Sequence, residues 1–166
     1  MFELTRNDEI QKLINVTKSD SGISGPDLAE AHIKLGRMLS REIHFPPEDT
    51  TVVAVMRGGL FFAEGMYLEM GCKFETYDPK HQEFIRPQTK HVIVVDSVIN
   101  TGETIQNILE PDMTVACCVI NANAVRLFEN QLYTVRVSQN SFVGGNTSKQ
   151  SNGIGPDTTM RLFNQL

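Results

Sequence analysis

The sequence predicts an α/β fold in which an open, mainly parallel, twisted sheet carries helices on both faces. Short apolar runs rich in β-branched residues alternate with segments whose apolar residues recur at helical spacing. Strands that alternate with helices pair in parallel, and right-handed crossovers place the helices on both sides of the sheet. The length of 166 residues fits one domain over residues 1–166.

The first half of the chain contains clear signals for where helices begin and end. Pro26 follows a polar loop and suits the first turn of a helix. The pair Pro46-Pro47 prevents that helix from continuing, and Gly71 is placed to end the next one. The predicted elements are a helix over 26–43, a strand over 51–56, a helix over 60–70 and a strand over 73–77.

The second half of the chain resumes the alternation after a long polar segment. Residues 78–90 are polar, contain Pro79 and Pro87 and show little periodicity, which predicts a loop or a short hairpin. The tail over 138–166 is rich in Gly, Asn, Ser and Thr. The predicted elements between them are strands over 91–95, 114–120 and 132–137 and helices over 104–109 and 123–130.

Composition argues against several classes of protein. The chain carries 15 basic and 20 acidic residues, and this excess of acid disfavours a general nucleic-acid surface. No apolar run approaches the length of a membrane span and no signal peptide is visible, so we expect a cytoplasmic protein without a membrane partner. The three cysteines and four histidines lack metal-ligand spacing. We expect the adjacent Cys117 and Cys118 to be buried on opposite faces of one strand.

The segment over 91–105, HVIVVDSVINTGETI, is the most informative part of the chain. Its apolar run predicts a buried strand that ends at Asp96, and helical periodicity resumes at Ile105. Open α/β sheets bind ligands at the carboxyl ends of their strands. The Thr-Gly-Glu-Thr sequence over 101–104 supplies hydroxyls and free amides at a helix start, where phosphate binds. The alternative is an ordinary strand–loop–helix unit in which Thr101 only caps the helix.

This segment resembles the phosphoribosyl-pyrophosphate (PRPP) motif of type I phosphoribosyltransferases. Within that family the chain looks most like the uracil phosphoribosyltransferases. The other similar segments, in family order, are SGISGPDLAEAHIKLGRML over 21–39, VVAVMRGGLFFAEGM over 52–66 and GIGPDTTMRLFN over 153–164. The resemblance implies that the C-terminal tail forms a small hood over the sheet, and that the protein is a homodimer or a higher homo-oligomer.

The resemblance also implies an activity and its residues. The activity is transfer of the 5-phosphoribosyl group from PRPP to uracil, giving UMP and pyrophosphate, with Mg²⁺ held by the substrate rather than by a protein metal site. Arg57 and Asp96 would be catalytic. The ribose and 5′-phosphate would contact Asp96, Ser97, Asn100, Thr101, Gly102, Glu103 and Thr104; pyrophosphate would contact Arg57, Gly58, Lys80 and Arg86; the base would contact Gly153, Ile154, Gly155 and Asp157.

Departures from the family pattern leave two alternatives open. The 78–90 loop is shorter than the family's flap, and Asp78 stands where an arginine is expected, so Lys80 and Arg86 would supply the positive charge. In the tail, Pro156 displaces the acidic residue to Asp157. One alternative is a purine-type phosphoribosyltransferase, because the sequence around Arg57 also resembles those enzymes. The other is a relative that binds PRPP or a nucleotide without turnover.

Overall fold

The computed structural model describes residues 1–141 and 143–166. Its main sheet has six strands in the order β1–β6–β5–β4–β2–β3, and every neighbouring pair is parallel. The strands are β1 (Phe2–Glu3), β2 (Thr50–Val55), β3 (Lys73–Tyr77), β4 (His91–Ile99), β5 (Thr114–Asn121) and β6 (Leu132–Ser138). The predicted open parallel sheet is confirmed.

Helices cover both faces of this sheet, as predicted. Three helices pack on one face around Leu35, Phe62 and Met66, and two shorter helices pack on the other around Ile105 and Phe128. The helices are α1 (Asp8–Thr17), α2 (Pro26–Ser40), α3 (Leu60–Met70), α4 (Glu103–Gln106), α5 (Ala122–Phe128) and α6 (Thr158–Leu162). None of the helices in the described part of the chain is both long and apolar enough to span a bilayer.

The three cysteines are buried, as expected for small apolar side chains. Cys117 packs with the cluster around Ile105, whereas Cys118 packs with the cluster around Phe62. The two neighbours therefore face opposite sides of β5, as the alternation of a strand requires. Within residues 1–141 and 143–166, no group of three or more His, Cys, Asp or Glu side chains could hold a metal ion.

The most important difference from the predicted elements is the length of β4. The strand does not end before Asp96 but continues to Ile99, because Val98 and Ile99 still pair with Val119 and Ile120 of β5. Asp96 therefore lies within the strand and the following turn is tighter than predicted. The helix predicted over 104–109 is also shorter, since α4 ends at Gln106.

Two N-terminal elements were not predicted. The short strand β1 pairs with β6 at the edge of the sheet. The helix α1 begins after Asn7, whose side-chain oxygen accepts a hydrogen bond of 2.8 Å from the amide of Ile10. Ile10 and Ile14 then bury one face of α1, which adds a third helix to that side of the sheet.

The C-terminal tail folds back as a small unit of its own. Strands β7 (Val143–Gly145) and β8 (Ile154–Pro156) form a two-stranded parallel sheet, and α6 follows. Arg161 of α6 is buried, and its guanidinium donates hydrogen bonds to the carbonyls of Thr17 and Ile23 at 3.2 and 2.9 Å. Because these acceptors lie at the last residue of α1 and in the loop before α2, Arg161 anchors the tail to the N-terminal half of the chain.

Candidate functional site

A cleft of about 550 Å³ opens where β2 and β4 end, bordered by the loop after β3 and by the tail. Parallel strands bring their carboxyl ends to one edge of the sheet, where ligands bind in open α/β folds. The cleft collects residues that are far apart in the sequence. The predicted site residues that line it are Arg57, Gly58, Lys80, Asp96, Ser97, Asn100, Thr104 and Asp157.

The turn over 57–59 connects β2 to α3 and lies against β4. A side chain at Gly59 would place its Cβ 2.5 Å from the carbonyl oxygen of Val95, so only glycine allows this approach. The Ser97 hydroxyl donates a 2.6 Å hydrogen bond to the Gly58 carbonyl. The peptide bond between Met56 and Arg57 is cis. The close approach of Gly59 to Val95 and the hydrogen bond from Ser97 to Gly58 hold the Arg57 turn beside Asp96.

Arg57 presents an exposed positive charge at the cleft. Its guanidinium lies 4.9 Å from the centre of the Phe163 ring, a cation–π contact with the C-terminal segment. None of the ion pairs within residues 1–141 and 143–166 involves Arg57. The planar donor fork is thus available to a doubly charged oxygen group such as a diphosphate.

Asp96 lies in the wall of the same cleft and is half-buried. Burial raises the pKa of its carboxyl group from 3.8 to about 7, and hydrogen bonds from the amides of Ser97 and Val98 oppose that rise. The Ser97 amide donates to Oδ1 at 2.7 Å. Near neutral pH this group therefore exchanges between an acceptor-only carboxylate and a neutral acid.

The turn over 100–104 forms a smaller cavity of about 180 Å³ that borders the main cleft. Asp96, Asn100 and Thr104 line both spaces. The amides of Gln106 and Asn107 donate hydrogen bonds to the carbonyls of Gly102 and Glu103. The amides that precede Gln106 lie in the first turn of α4, where a helix supplies no carbonyl partner for them. The predicted phosphate residues Thr101, Gly102 and Glu103 line this cavity rather than the main cleft.

The loop after β3 contributes a short charged segment to the cleft. Asp78, Lys80 and His81 line it. Asp78 accepts hydrogen bonds from His81 at 2.8 Å and from the Lys80 amide at 3.0 Å, and the His81 contact is the main cause of the lowered pKa of Asp78. Lys80 thereby lies at the cleft, and the carboxylate of Asp78 beside it is hydrogen-bonded to His81.

Arg86, predicted for pyrophosphate, is not part of the cleft. Its guanidinium binds Asp112 through two hydrogen bonds of 2.9 and 2.8 Å and also contacts Glu110. These two carboxylates raise its pKa further. The loop therefore turns Arg86 toward the segment before β5, away from the end of β2.

The sequence matches no family model and no curated protein, but solved structures share its fold. The AQ2163 protein from Aquifex aeolicus is 17% identical over 83% of this chain and 88% of its own, with a TM-score of 0.67. The TT1426 protein from Thermus thermophilus is 14% identical over 81% and 97%, with a TM-score of 0.53. A hypoxanthine-guanine phosphoribosyltransferase from Bacillus anthracis is 15% identical over 76% and 90%, with a TM-score of 0.51. The chain has the type I phosphoribosyltransferase fold.

In this phosphoribosyltransferase fold, Asp157 is the one of the four predicted tail residues that lines the cleft, together with Gly144, Thr158 and Thr159. Gly153 and Ile154 are exposed and line neither cavity described above, and Gly155 pairs with Gly144 in the small sheet. Gly144 itself lines the cleft beside Asp157, and a Cβ at Gly144 would lie 2.6 Å from Asp157 Oδ2. The pair Gly144-Gly145 is the sequence feature that points to this contact. The parallel pairing of β7 with β8 leaves no local sequence signal.

Proposed function

We propose that the protein is a phosphoribosyltransferase that transfers the 5-phosphoribosyl group of PRPP to a pyrimidine base and releases pyrophosphate. The observation that carries this proposal is the cleft itself. It brings an exposed cation at Arg57, the carboxyl group of Asp96 and the open start of α4 at Glu103 and Thr104 to one edge of the sheet. That arrangement fits the three parts of PRPP in order: diphosphate, ribose and 5′-phosphate.

Each part of the substrate has a group of matching chemistry. The 5′-phosphate would enter the 100–104 turn, where amides and hydroxyls meet it. The ribose hydroxyls would donate to Asp96, and the diphosphate would contact Arg57, Gly58 and Lys80. Mg²⁺ would arrive bound to the diphosphate, because this hard cation prefers phosphate oxygens and water to a dedicated protein cage. The carboxylates of Asp78 and Asp96 at the cleft suit such a substrate complex.

The reaction would depend on orientation and charge rather than on a covalent intermediate. The bond from C1′ to the diphosphate oxygen breaks with its electron pair leaving on pyrophosphate, while a nitrogen of the base bonds to C1′ and its proton passes to water. Arg57 and Lys80 would stabilise the charge that develops on the leaving group. Asp96 would hold the ribose so that C1′ faces the incoming base.

Two classes of acceptor enter the test, because the fold is shared by enzymes that act on different bases. Uracil is the acceptor implied by the C-terminal motif. Purines form the second class, because the Bacillus anthracis protein that shares the fold is named for hypoxanthine and guanine.

The deciding experiment is a PRPP-dependent assay of pyrophosphate release with uracil, hypoxanthine and guanine. We expect turnover that falls by about 10²-fold or more in Arg57→Ala, the loss typical of removing a preorganised charge-stabilising group. The matched control is Arg126→Ala, which removes an exposed arginine of α5 that does not line the cleft. Equal rates in Arg57→Ala and Arg126→Ala would refute the assignment. Tight PRPP binding without product from any base would instead support a non-catalytic relative.

A further inference from the structure

A second cleft of about 310 Å³ lies beside the first. Its walls come from the ends of β4, β5 and β6, from the segment after α1 and from the tail. Val98, Asn100 and Thr158 line both clefts. A molecule in the second cleft would therefore sit next to a ribose held by Asp96, on the side away from Lys80.

Arg136 is the feature of this second cleft that needs an explanation. Val98 pairs with Val119, and Val119 pairs with Arg136, so the arginine lies two strands from β4, or about 10 Å at the usual strand spacing. Its Nε atom is buried, and among the described residues it has no hydrogen-bond partner. Buried donors are almost always satisfied.

The contrast with Arg161 shows how unusual this is. Arg161 also lies beside the segment that follows α1, but its Nε donates a hydrogen bond of 3.1 Å to the Ile23 carbonyl. Its other two nitrogens donate to the carbonyls of Thr17 and Lys18. Arg161 is thus a structural anchor with its donors used. Arg136, by contrast, lines an open cleft, and its buried Nε has no partner among the described residues.

The other polar groups of the cleft suit an oxygen-rich ligand. Ser138 and Asn140 follow Arg136 in the chain, and Gln150 of the tail also lines the cleft. The Gln150 carbonyl oxygen accepts a hydrogen bond from Ser19 at 2.5 Å, which leaves its amide nitrogen as a donor. Lys18 and Asp20 both line the cleft, so their charges offset each other and Arg136 determines its net sign.

From this geometry we infer that the second cleft receives the acceptor, and that Arg136 selects a planar heterocycle carrying a carboxylate. The inference rests on the proposed function and refines it, because it favours an acidic pyrimidine over uracil. A carboxylate is the planar partner that an arginine fork binds through two parallel hydrogen bonds. A neutral ring of the same size offers no carboxylate to that fork.

The test compares 6-carboxyuracil with uracil, which has the same ring without the carboxylate. Calorimetric titration without PRPP measures binding in the absence of turnover. We expect 6-carboxyuracil to bind the wild type at least about 10-fold more tightly than uracil. Arg136→Gln should weaken 6-carboxyuracil binding about 30-fold, as for truncation of one partner of a buried charge pair, while uracil binding changes less than about 2-fold.

Two controls make the result specific. Arg126→Gln removes an exposed arginine and should leave both affinities unchanged, and thermal unfolding verifies that each variant is folded. Arg136→Lys keeps the charge but loses the planar fork, so it should restore only part of the preference. Equal binding of the two pyrimidines, or displacement of 6-carboxyuracil by inorganic phosphate at equal concentration, would overturn the inference.

The outcomes also separate this inference from the proposed function. If PRPP is bound and consumed with uracil while 6-carboxyuracil shows no preference, only the role of Arg136 fails. If 6-carboxyuracil binds through Arg136 while PRPP is not bound at all, the second cleft stands as a ligand site and the transferase assignment fails.

Discussion

The carboxyl group of Asp96 should make the folded protein less stable as the pH rises, and Asp96→Asn should remove that effect. Burial raises its pKa from 3.8 to about 7. Between pH 4 and pH 7 the unfolded chain has lost this proton and the folded chain has kept it, so unfolding releases a proton and stability falls with increasing pH. Each pKa unit corresponds to about 1.4 kcal/mol, which limits the effect above pH 7 to about 4 kcal/mol.

The expected gain for Asp96→Asn is smaller than this limit. Asp96 is only half-buried, and burying an amide also has a cost, so we expect the variant to be about 1–2 kcal/mol more stable than wild type at pH 8. At pH 5 the folded Asp96 still keeps its proton but the unfolded chain has lost it, so about a third of the penalty is already present and the gain should be correspondingly smaller. Urea unfolding at the two pH values measures it. Equal stabilities at pH 8, or a gain no larger at pH 8 than at pH 5, would refute the reasoning.

The same titration should appear in ligand binding. With a pKa of about 7, about one tenth of Asp96 is ionised at pH 6 and about nine tenths at pH 8. If the carboxylate is the form that accepts the ribose hydroxyls, PRPP affinity rises up to about 10-fold over that range. Asp96→Asn corrects for the titration of the phosphates, which is common to both proteins. A pH dependence of the same size in the variant would show that Asp96 does not contribute.

Three further predictions follow from named contacts. Arg161→Met should destabilise the protein by about 2–4 kcal/mol in urea unfolding, because it removes charged donors from buried carbonyls, and Arg161→Lys should recover only part of the loss. Gly59→Ala should cost about 1–3 kcal/mol and weaken PRPP binding in calorimetry, since its Cβ would lie 2.5 Å from the Val95 oxygen. Arg86→Ala should leave PRPP affinity unchanged and cost under about 1 kcal/mol, because its partners are exposed.

The sequence predicted the alternating sheet well because burial leaves a strong local pattern. The helix over 60–70 and the strand over 73–77 have the predicted bounds. Gly71 ends the helix before the strand begins, and turn residues precede the helix and follow the strand. The predicted end of β4 was wrong because no local sequence signal marks where this strand ends. Val98 and Ile99 stay in the strand through pairing with β5, a long-range contact that overrides the polar residues around them.

The same contrast between local and long-range signals applies to the residues of the candidate site. Asp96 and Asn100 are close in sequence, and a strand-to-helix turn was enough to bring them together. The loop after β3 and the tail carry no periodic pattern, so their side chains could not be placed in advance. Lys80 reaches the cleft whereas Arg86 turns to Asp112, and the difference lies in which carboxylates the folded chain offers each cation.

Arg161 illustrates how a familiar motif can serve a different physical purpose. By resemblance it belongs to a segment expected to shape the base site, and a cation there suggests contact with an anionic ligand. In the fold it is buried and its donors go to backbone carbonyls at the ends of α1 and the following loop. The charge therefore holds the tail in place, while Asp157 and Gly144 border the cleft. Arg57 and Lys80 at the first cleft and Arg136 at the second are placed to meet ligands, and substitutions of the two arginines discriminate between the hypotheses.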